Sequence, residues 1–258
     1  MSGANGQIAV TIRGLKKAFG SHEVLRGVDL DIVRGRINTI IGGSGQGKSV
    51  IVKHIMGLLK PDAGQIVIEG EDIVPMSDFE LNRVRRRMGT LFQYSALFDS
   101  MTVEENVAFP LLEHRRDLSN PRVKEIVREK LAMLGIQENA LPKFPAEISG
   151  GMRKRVALAR AIVMEPAILV YDEPTTGLDP IATKNVDEMI ADAAERLGVT
   201  SVVISHDMTS TFRISHRIAM LFEGRIVEAG TPQEMLRSPC APLQEFIRTS
   251  GVRVEEVA

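Results

Sequence analysis

Two periodicities alternate along the chain, and the points where they switch divide it. Residues 28–32 run Val-Asp-Leu-Asp-Ile and stop at Gly35. Strict apolar–acidic alternation predicts an antiparallel strand with one wet face. Residues 8–12 predict an earlier strand, with a turn through Phe19, Gly20, Ser21 and His22. Residues 37–41 are short, largely apolar and β-branched, then break into a glycine-rich loop. That pattern predicts a buried strand feeding a helix over 48–59, which stops before Pro61. Gly64 and Gly70 bracket a further strand at 65–69.

The middle third changes period. After a strand over 88–93, the pattern to about residue 165 is mostly helical. Thr102 with Glu105 three positions on forms a capping box before an apolar run. Ser119-Asn120-Pro121 starts a helix over 123–134 that Gly135 ends. From residue 168 the strands at 168–171, 201–205 and 218–222 alternate with helical runs, which argues for a parallel sheet. The tail from Thr231 predicts two short helices around Pro239-Cys240-Ala241-Pro242. The expected organisation is one domain over 1–258. An α/β core (8–93 and 166–230) carries an inserted helical lobe (94–165) and a helical tail (231–258).

Composition narrows the class. The chain has 258 residues, 44% hydrophobic and 25% charged, as in a folded domain. A net charge of −1 offers no global field for nucleic acid or an anionic membrane, so neither is expected as a charge-driven partner. Trp is absent, so the core must rest on aliphatic side chains. Cys240 is the only cysteine, which excludes an intrachain disulfide. The N-terminus lacks the basic start and apolar core of a signal peptide. No apolar run approaches the roughly 20 residues that span a bilayer. The expectation is a cytoplasmic protein unable to cross a membrane alone.

Gly42, Gly43, Ser44, Gly45, Gln46, Gly47, Lys48 and Ser49 match the Gly-four-Gly-Lys-Ser pattern of a phosphate-binding loop. Its glycines let backbone N–H groups curl around phosphate oxygens, and the following helix adds its positive end. Lys48 would reach the β- and γ-phosphates and the Ser49 hydroxyl would ligate Mg²⁺. The apolar run 168–171 ends in Asp172-Glu173, delivering carboxylates to the ligand edge of a parallel sheet. Asp172 would hold Mg²⁺, and Glu173 would polarise an attacking water as general base.

Between these two elements stands Ile148-Ser149-Gly150-Gly151-Met152, a turn opening a basic helix. Arg153, Lys154 and Arg155 in its first turn oppose the helix dipole by a few tenths of a kcal/mol each. An anion docked on the bare N–H groups would offset that cost. The phosphate loop already holds one side of the γ-phosphate, so this second anion site suits the ATP of a partner chain.

The order of phosphate loop, Gln93, ISGGM, YDEPTTGLDP and SHD is similar to the ATP-binding subunit of ABC transporters, over residues 8–247. The resemblance implies an α/β fold: a P-loop ATPase core with mixed sheet, an N-terminal antiparallel β subdomain and an inserted helical lobe. It implies ATP and Mg²⁺ as cofactors and a homodimer that sandwiches ATP. Gln93 resembles the glutamine that contacts Mg²⁺ and water and reports to the lobe. His206 resembles the switch histidine on the γ-phosphate, and Asp179 the aspartate that crosses the dimer interface. Phe19 resembles the aromatic that stacks on adenine, worth about 1–2 kcal/mol. Ser149 and Gly151 would close over the partner's phosphate.

Three positions depart from the usual pattern: Ile148 for leucine, Met152 for glutamine, and Val50 for the threonine after the loop serine. The last removes one hydroxyl near the α-phosphate, about 1 kcal/mol. Lys48, Asp172 and Glu173 stand, so ATP hydrolysis is expected.

The segment from Tyr94 to Pro110, with Leu97, Phe98, Met101 and Phe109, offers an apolar patch for a short helix of an integral membrane permease. Its wording is similar to the Mla/Mkl branch, whose ATPases power lipid transport with MCE-domain lipid-binding proteins. That implies a peripheral subunit on the cytoplasmic face of the inner membrane. The rival expectation is the ATPase of another ABC importer or exporter, for amino acids or lipoproteins. A soluble ABC protein of ribosomes or DNA is disfavoured by the single phosphate loop, and a small-molecule kinase by ISGGM.

Overall fold

The computed structural model describes residues 7–92 and 95–250; Gln93 and Tyr94 lie outside them. The chain opens with a long hairpin, β1 (Ile8–Phe19) and β2 (His22–Val33), that turns between Phe19 and His22. β3 (Ile37–Ile41) leads into α1 (Lys48–Ile55). β4 (Ala63–Ile68), β5 (Glu71–Asp72), α2 (Asp78–Arg85) and β6 (Met88–Phe92) follow. Then come α3 (Val103–His114), α4 (Asn120–Met133), two 3₁₀ turns at Glu138–Ala140 and Pro145–Glu147, and α5 (Gly150–Ile162). The last part runs β7 (Ile168–Asp172), α6 (Pro180–Leu197), β8 (Thr200–Ser205), α7 (Met208–Ile214), β9 (Arg217–Phe222), β10 (Arg225–Gly230), α8 (Pro232–Arg237) and α9 (Ala241–Thr249).

Two sheets result. One is antiparallel, in the order β2-β1-β4-β5; the other runs β10-β9-β3-β8-β7-β6. In the second sheet β9, β3, β8, β7 and β6 are parallel, and β10 folds back antiparallel on β9, so the sheet is mixed. Every residue of β3 and β8 is buried, as expected of strands covered on both faces. One core layer packs Ile51 and Ile55 of α1 between Ile12 and Ile66 of the first sheet and Ile40 and Val170 of the second. The opposite face packs Leu158 of α5 and Ile190 of α6 on Leu169, Tyr171 and Val203. Each such aliphatic burial contributes about 1.5–3 kcal/mol. Helices α3, α4 and α5 share a separate core of Val107, Leu111, Val127, Leu131 and Val156.

Several boundaries differ from the sequence expectation for local reasons. β1 and β2 are 12 residues each, because register shifts near Gly14 and Gly27 let the ladder continue past them. α1 stops at Ile55, well before Pro61: Gly57 adopts φ 63°, and the Leu58 N–H returns to the Lys53 carbonyl at 2.8 Å. α2 begins at a capping box, Ser77 with Glu80, that the sequence carries but that was not expected. β10 is not expected from the pattern, because its apolar residues Ile226, Val227 and Ala229 do not alternate with polar ones and only Gly230 of this edge strand is buried. The Thr102–Glu105 box and the two tail helices form where expected.

Candidate functional site

Strand register gathers the reactive groups. Ile41 of β3 pairs with Ser205 of β8, and Asp172 of β7 pairs with Ile204 of β8. The loop after β3, the His206 turn after β8 and the Asp172-Glu173 pair therefore leave three adjacent strands at one edge, roughly 4.8 Å apart in the ladder.

The loop Gly42–Ser49 is built for close approach. Gly42 has φ 151°, and a Cβ there would collide with the Leu221 carbonyl. Gly47 has φ 104°, and a Cβ would come within 2.8 Å of Val24. Gly45 has φ 75° but faces open space. Gln46 pins the loop to the β9–β10 turn by accepting from the Glu223 N–H at 2.8 Å. Lys48 is buried; its Nζ donates to the carbonyls of Gly42 at 2.8 Å and Gly43 at 3.0 Å. Burial pushes the Lys48 ammonium below its ordinary pKa, while the nearby Glu173 carboxylate opposes that shift.

Ser49 Oγ donates to Asp172 Oδ1 at 3.3 Å. Burial pushes the Asp172 carboxyl above its usual range, and the Ser49 hydrogen bond counters it. A hydroxyl and a carboxylate side by side are hard oxygen donors, so they fit Mg²⁺ together with phosphate oxygens and water. Among the described residues, no group of three or more His, Cys, Asp and Glu side chains could hold a metal ion.

Glu173 sits at φ 52°, a left-handed backbone that costs a non-glycine residue about 1 kcal/mol. Its N–H is held by the Ile204 carbonyl at 3.0 Å. One carboxylate oxygen lies 3.7 Å from Lys48 Nζ, and the other lies 2.5 Å from His206 Nδ1. Thr176 Oγ1 donates to that second oxygen at 2.9 Å. Thr176 escaped the sequence reading, although it stands three residues after the acid in the same turn. An ionised carboxylate only accepts, which places the imidazole proton on Nδ1 and turns Nε2 away from Glu173.

An open cleft of about 930 Å³ lies over these groups, lined among others by Phe19, His22, Val24, Ser44, Lys48, Val50, Glu173, Thr176, His206 and Phe246. Phe19 is 49% exposed, with Lys17 Nζ 5.7 Å from its ring centre. Its ring is thus half exposed where it lines the cleft. The cleft walls do not include Ser149, Gly150, Gly151 or Asp179.

Ser149 caps α5 by accepting from the Met152 N–H at 3.2 Å, which leaves its hydroxyl proton free. Gly150 and Gly151 are exposed. The expectation that Arg153 and Lys154 burden the helix start needs correction. Arg153 turns back to the Ile148 carbonyl at 2.8 Å, and Lys154 reaches the Pro174 carbonyl at 2.5 Å. Carbonyls, not an incoming anion, satisfy both cations. Lys154 instead ties α5 to the loop that carries Glu173. Asp179 caps α6, with Oδ1 accepting from the N–H groups of Ile181 and Ala182 at 2.9 Å each.

A second groove, of about 1060 Å³, opens between α2, β6 and α3 and is lined by Arg85, Phe92, Phe98, Phe109, Pro110 and Arg160 among others. Leu97 packs inward, whereas Phe98 and Phe109 stay exposed with ring centres 5.0 Å apart. Arg160 stacks on Phe98 and donates to the carbonyls of Ser95 and Ala96. Of the expected site residues, only Gln93 cannot be placed, since it falls outside the described residues.

Residues 25–176 match the ABC transporter family. The chain is 40% identical to the probable ribonucleotide transport ATP-binding protein Mkl of Mycobacterium leprae, over 93% of this chain and 69% of that protein. It thus spans about two thirds of the length of the Mkl relatives. It is 36% identical to the intermembrane phospholipid transport system ATP-binding protein MlaF of Haemophilus influenzae, over 94% and 91%. It is 37% identical to the methionine import ATP-binding protein MetN of Caulobacter vibrioides, over 93% and 72%. A dimeric ATP-binding cassette, MJ0796, solved in a post-hydrolysis state with ADP and Pi, superposes with a TM-score of 0.76 at 30% identity, covering 86% of this chain and 98% of that one. Fold, site and relatives agree that this chain belongs to the ABC transporter family as an ATP-hydrolysing, ATP-binding subunit.

Proposed function

We propose that two copies of this chain close around two ATP molecules and drive a separate membrane permease, most directly one that moves phospholipid or another lipid with an MCE-domain partner. The observation that carries the shared site is the separation of its halves. Lys48, Ser49, Glu173 and His206 converge within one cleft, while Ser149 and Gly151 stand exposed outside it. A second copy would bring Ser149 and Gly151 over the γ-phosphate held by the first. Asp179, beside the 77% exposed Ile181, would lie at the seam.

Within one site, Lys48 exchanges its two loop carbonyls for phosphate oxygens. Phe19 and Val50 receive the base and the α-phosphate side. Ser49, Asp172 and Gln93 would hold Mg²⁺, which when bound would neutralise charge on the phosphates. Glu173 takes the proton of the attacking water, and His206, already hydrogen-bonded to it, contacts the γ-phosphate through Nε2. The exposed Phe98 and Phe109 of the second groove receive a permease helix, which moves as the two copies close.

The likeness to MlaF over nearly its whole length supports the lipid reading, together with a peripheral place on the cytoplasmic face of an inner membrane. The likeness to MetN supports a second reading, an amino-acid importer. Purification of the native complex separates them. Co-purification of a permease with an MCE-domain protein is expected, and a periplasmic amino-acid-binding protein in its place would sink the lipid assignment. Mixing two inactive variants, Lys48→Met and Ser149→Arg, tests the shared site, because one intact composite site then re-forms and restores part of the turnover.

A further inference from the structure

The tail helix α9 enters the nucleotide cleft. Phe246, Thr249 and Ser250 line the same opening as Phe19, Val24 and Val50. The tail is not a loose appendage there: Leu243 and Ile247 are buried, and they pack with Ile41, the last residue of the strand that delivers the phosphate loop. The ring of Phe246 is half-buried at the edge of that cluster. The phosphate loop floors one part of the cleft, and the apolar wall of Phe19, Val24, Val50 and Phe246 is the surface left for a bound nucleotide's base.

The hydroxyls beside the ring have a defined polarity. Thr249 Oγ1 donates to the carbonyls of Glu245 at 2.9 Å and Phe246 at 3.2 Å. Ser250 Oγ donates to the Ile247 carbonyl at 2.7 Å. Each hydroxyl spends its one proton on the helix, so toward the cleft it offers only lone pairs. An acceptor suits the exocyclic amine of adenine and repels the corresponding carbonyl oxygen of guanine.

From this we infer that α9 is a base-recognition wall supplied by the same chain, with Phe246 covering the base against Phe19 and the Thr249 and Ser250 hydroxyls selecting adenine over guanine. The inference rests on the reading of this cleft as the ATP site.

Binding of ATP, GTP and inorganic tripolyphosphate, which has no base, tests it on the full chain without Mg²⁺ turnover. Failure of the unaltered protein to bind either ATP or tripolyphosphate would overturn the site itself, separately from this proposal. Phe246→Ala is expected to weaken ATP about tenfold and leave tripolyphosphate within about twofold, the loss of one stacking face. The pair Thr249→Val with Ser250→Ala is expected to shrink the ATP-over-GTP preference about fivefold at unchanged melting temperature. Equal losses for ATP and tripolyphosphate would mean that α9 merely props the phosphate loop. An unchanged ATP affinity in Phe246→Ala, or an unchanged ATP/GTP ratio in the double variant, would likewise overturn the proposal.

Discussion

His206 Nδ1 stands 2.5 Å from Glu173 Oε2, and this contact fixes both the tautomer of the ring and the aim of the carboxylate. The acid thus waits at the cleft already oriented, with Thr176 on the same oxygen. Replacing the carboxylate by its amide keeps the shape and removes the proposed base. Glu173→Gln is expected to cut phosphate release by at least about 10²-fold and to keep ATP affinity within about twofold. Size-exclusion chromatography should then show a dimer that persists in ATP and Mg²⁺. Unchanged phosphate release would take Glu173 out of that role.

Gly151 tests the contribution proposed for a second copy. A Cβ there meets nothing within 4 Å in its own chain, and helix interiors favour alanine over glycine by about 0.5–1 kcal/mol. Gly151→Ala should therefore melt no lower than the parent and bind ATP equally well as a monomer, yet hydrolyse it at least about tenfold more slowly because the partner's phosphate cannot approach. A normal rate in this variant would mean that α5 is only a capped helix.

Lys48 links nucleotide binding to protons. In the free site burial holds its pKa below the ordinary 10.5. A polyphosphate beside it raises that value. Between the two values, binding must take up a proton, and ATP affinity must fall as pH rises through the free-site value. Calorimetry at alkaline pH in buffers of different ionisation enthalpy should show this uptake. Buffer-independent heats would contradict it.

Asp187 joins the helices behind the two loops. Fully buried on α6, it accepts from Ser210 and, at 2.7 Å, from Arg213, both on α7, which begins two residues after His206. Burial raises its carboxyl pKa above 3.8, with the Ser210 and Arg213 contacts opposing the rise. The folded state then holds this proton more tightly than the unfolded chain. Its contribution to stability is greatest below 3.8, declines as pH climbs to the folded value, and stays reduced above it. Asp187→Asn should remove that slope, so the melting-temperature difference between parent and variant should shrink as pH rises from about 4 toward neutrality. A constant difference across that range would mean that the carboxyl does not titrate as described.

The phosphate loop, the acidic strand end and the ISGGM turn were legible because each is a run of neighbours whose spacing is set by local backbone geometry. Positions 42–49 follow a buried strand and open a helix, so their residue types alone point to phosphate. What stayed hidden depends on contacts made across the fold. Lys154 looked like a surplus cation at a helix start, yet its carbonyl partner lies 20 residues away. Thr176 is an ordinary turn threonine until His206, in the turn after β8, fixes the oxygen it shares. The early stop of α1 was visible in Gly57, whose left-handed turn acts before the proline that seemed to mark the end. Phe246 gave no sign at all, because a tail helix reveals its neighbour only once the sheet has formed.

The pairing of Ile41 with Ser205 and of Asp172 with Ile204 has a consequence for how such a chain can change. Ser49 and Asp172 stand 123 positions apart in sequence, yet their separation in space is set by two steps across a ladder. Changes in the length of the connection between α3 and α4, residues 115–119, leave those steps untouched. On the reading proposed above, the face that meets a permease would be free to vary while the reacting groups keep their places.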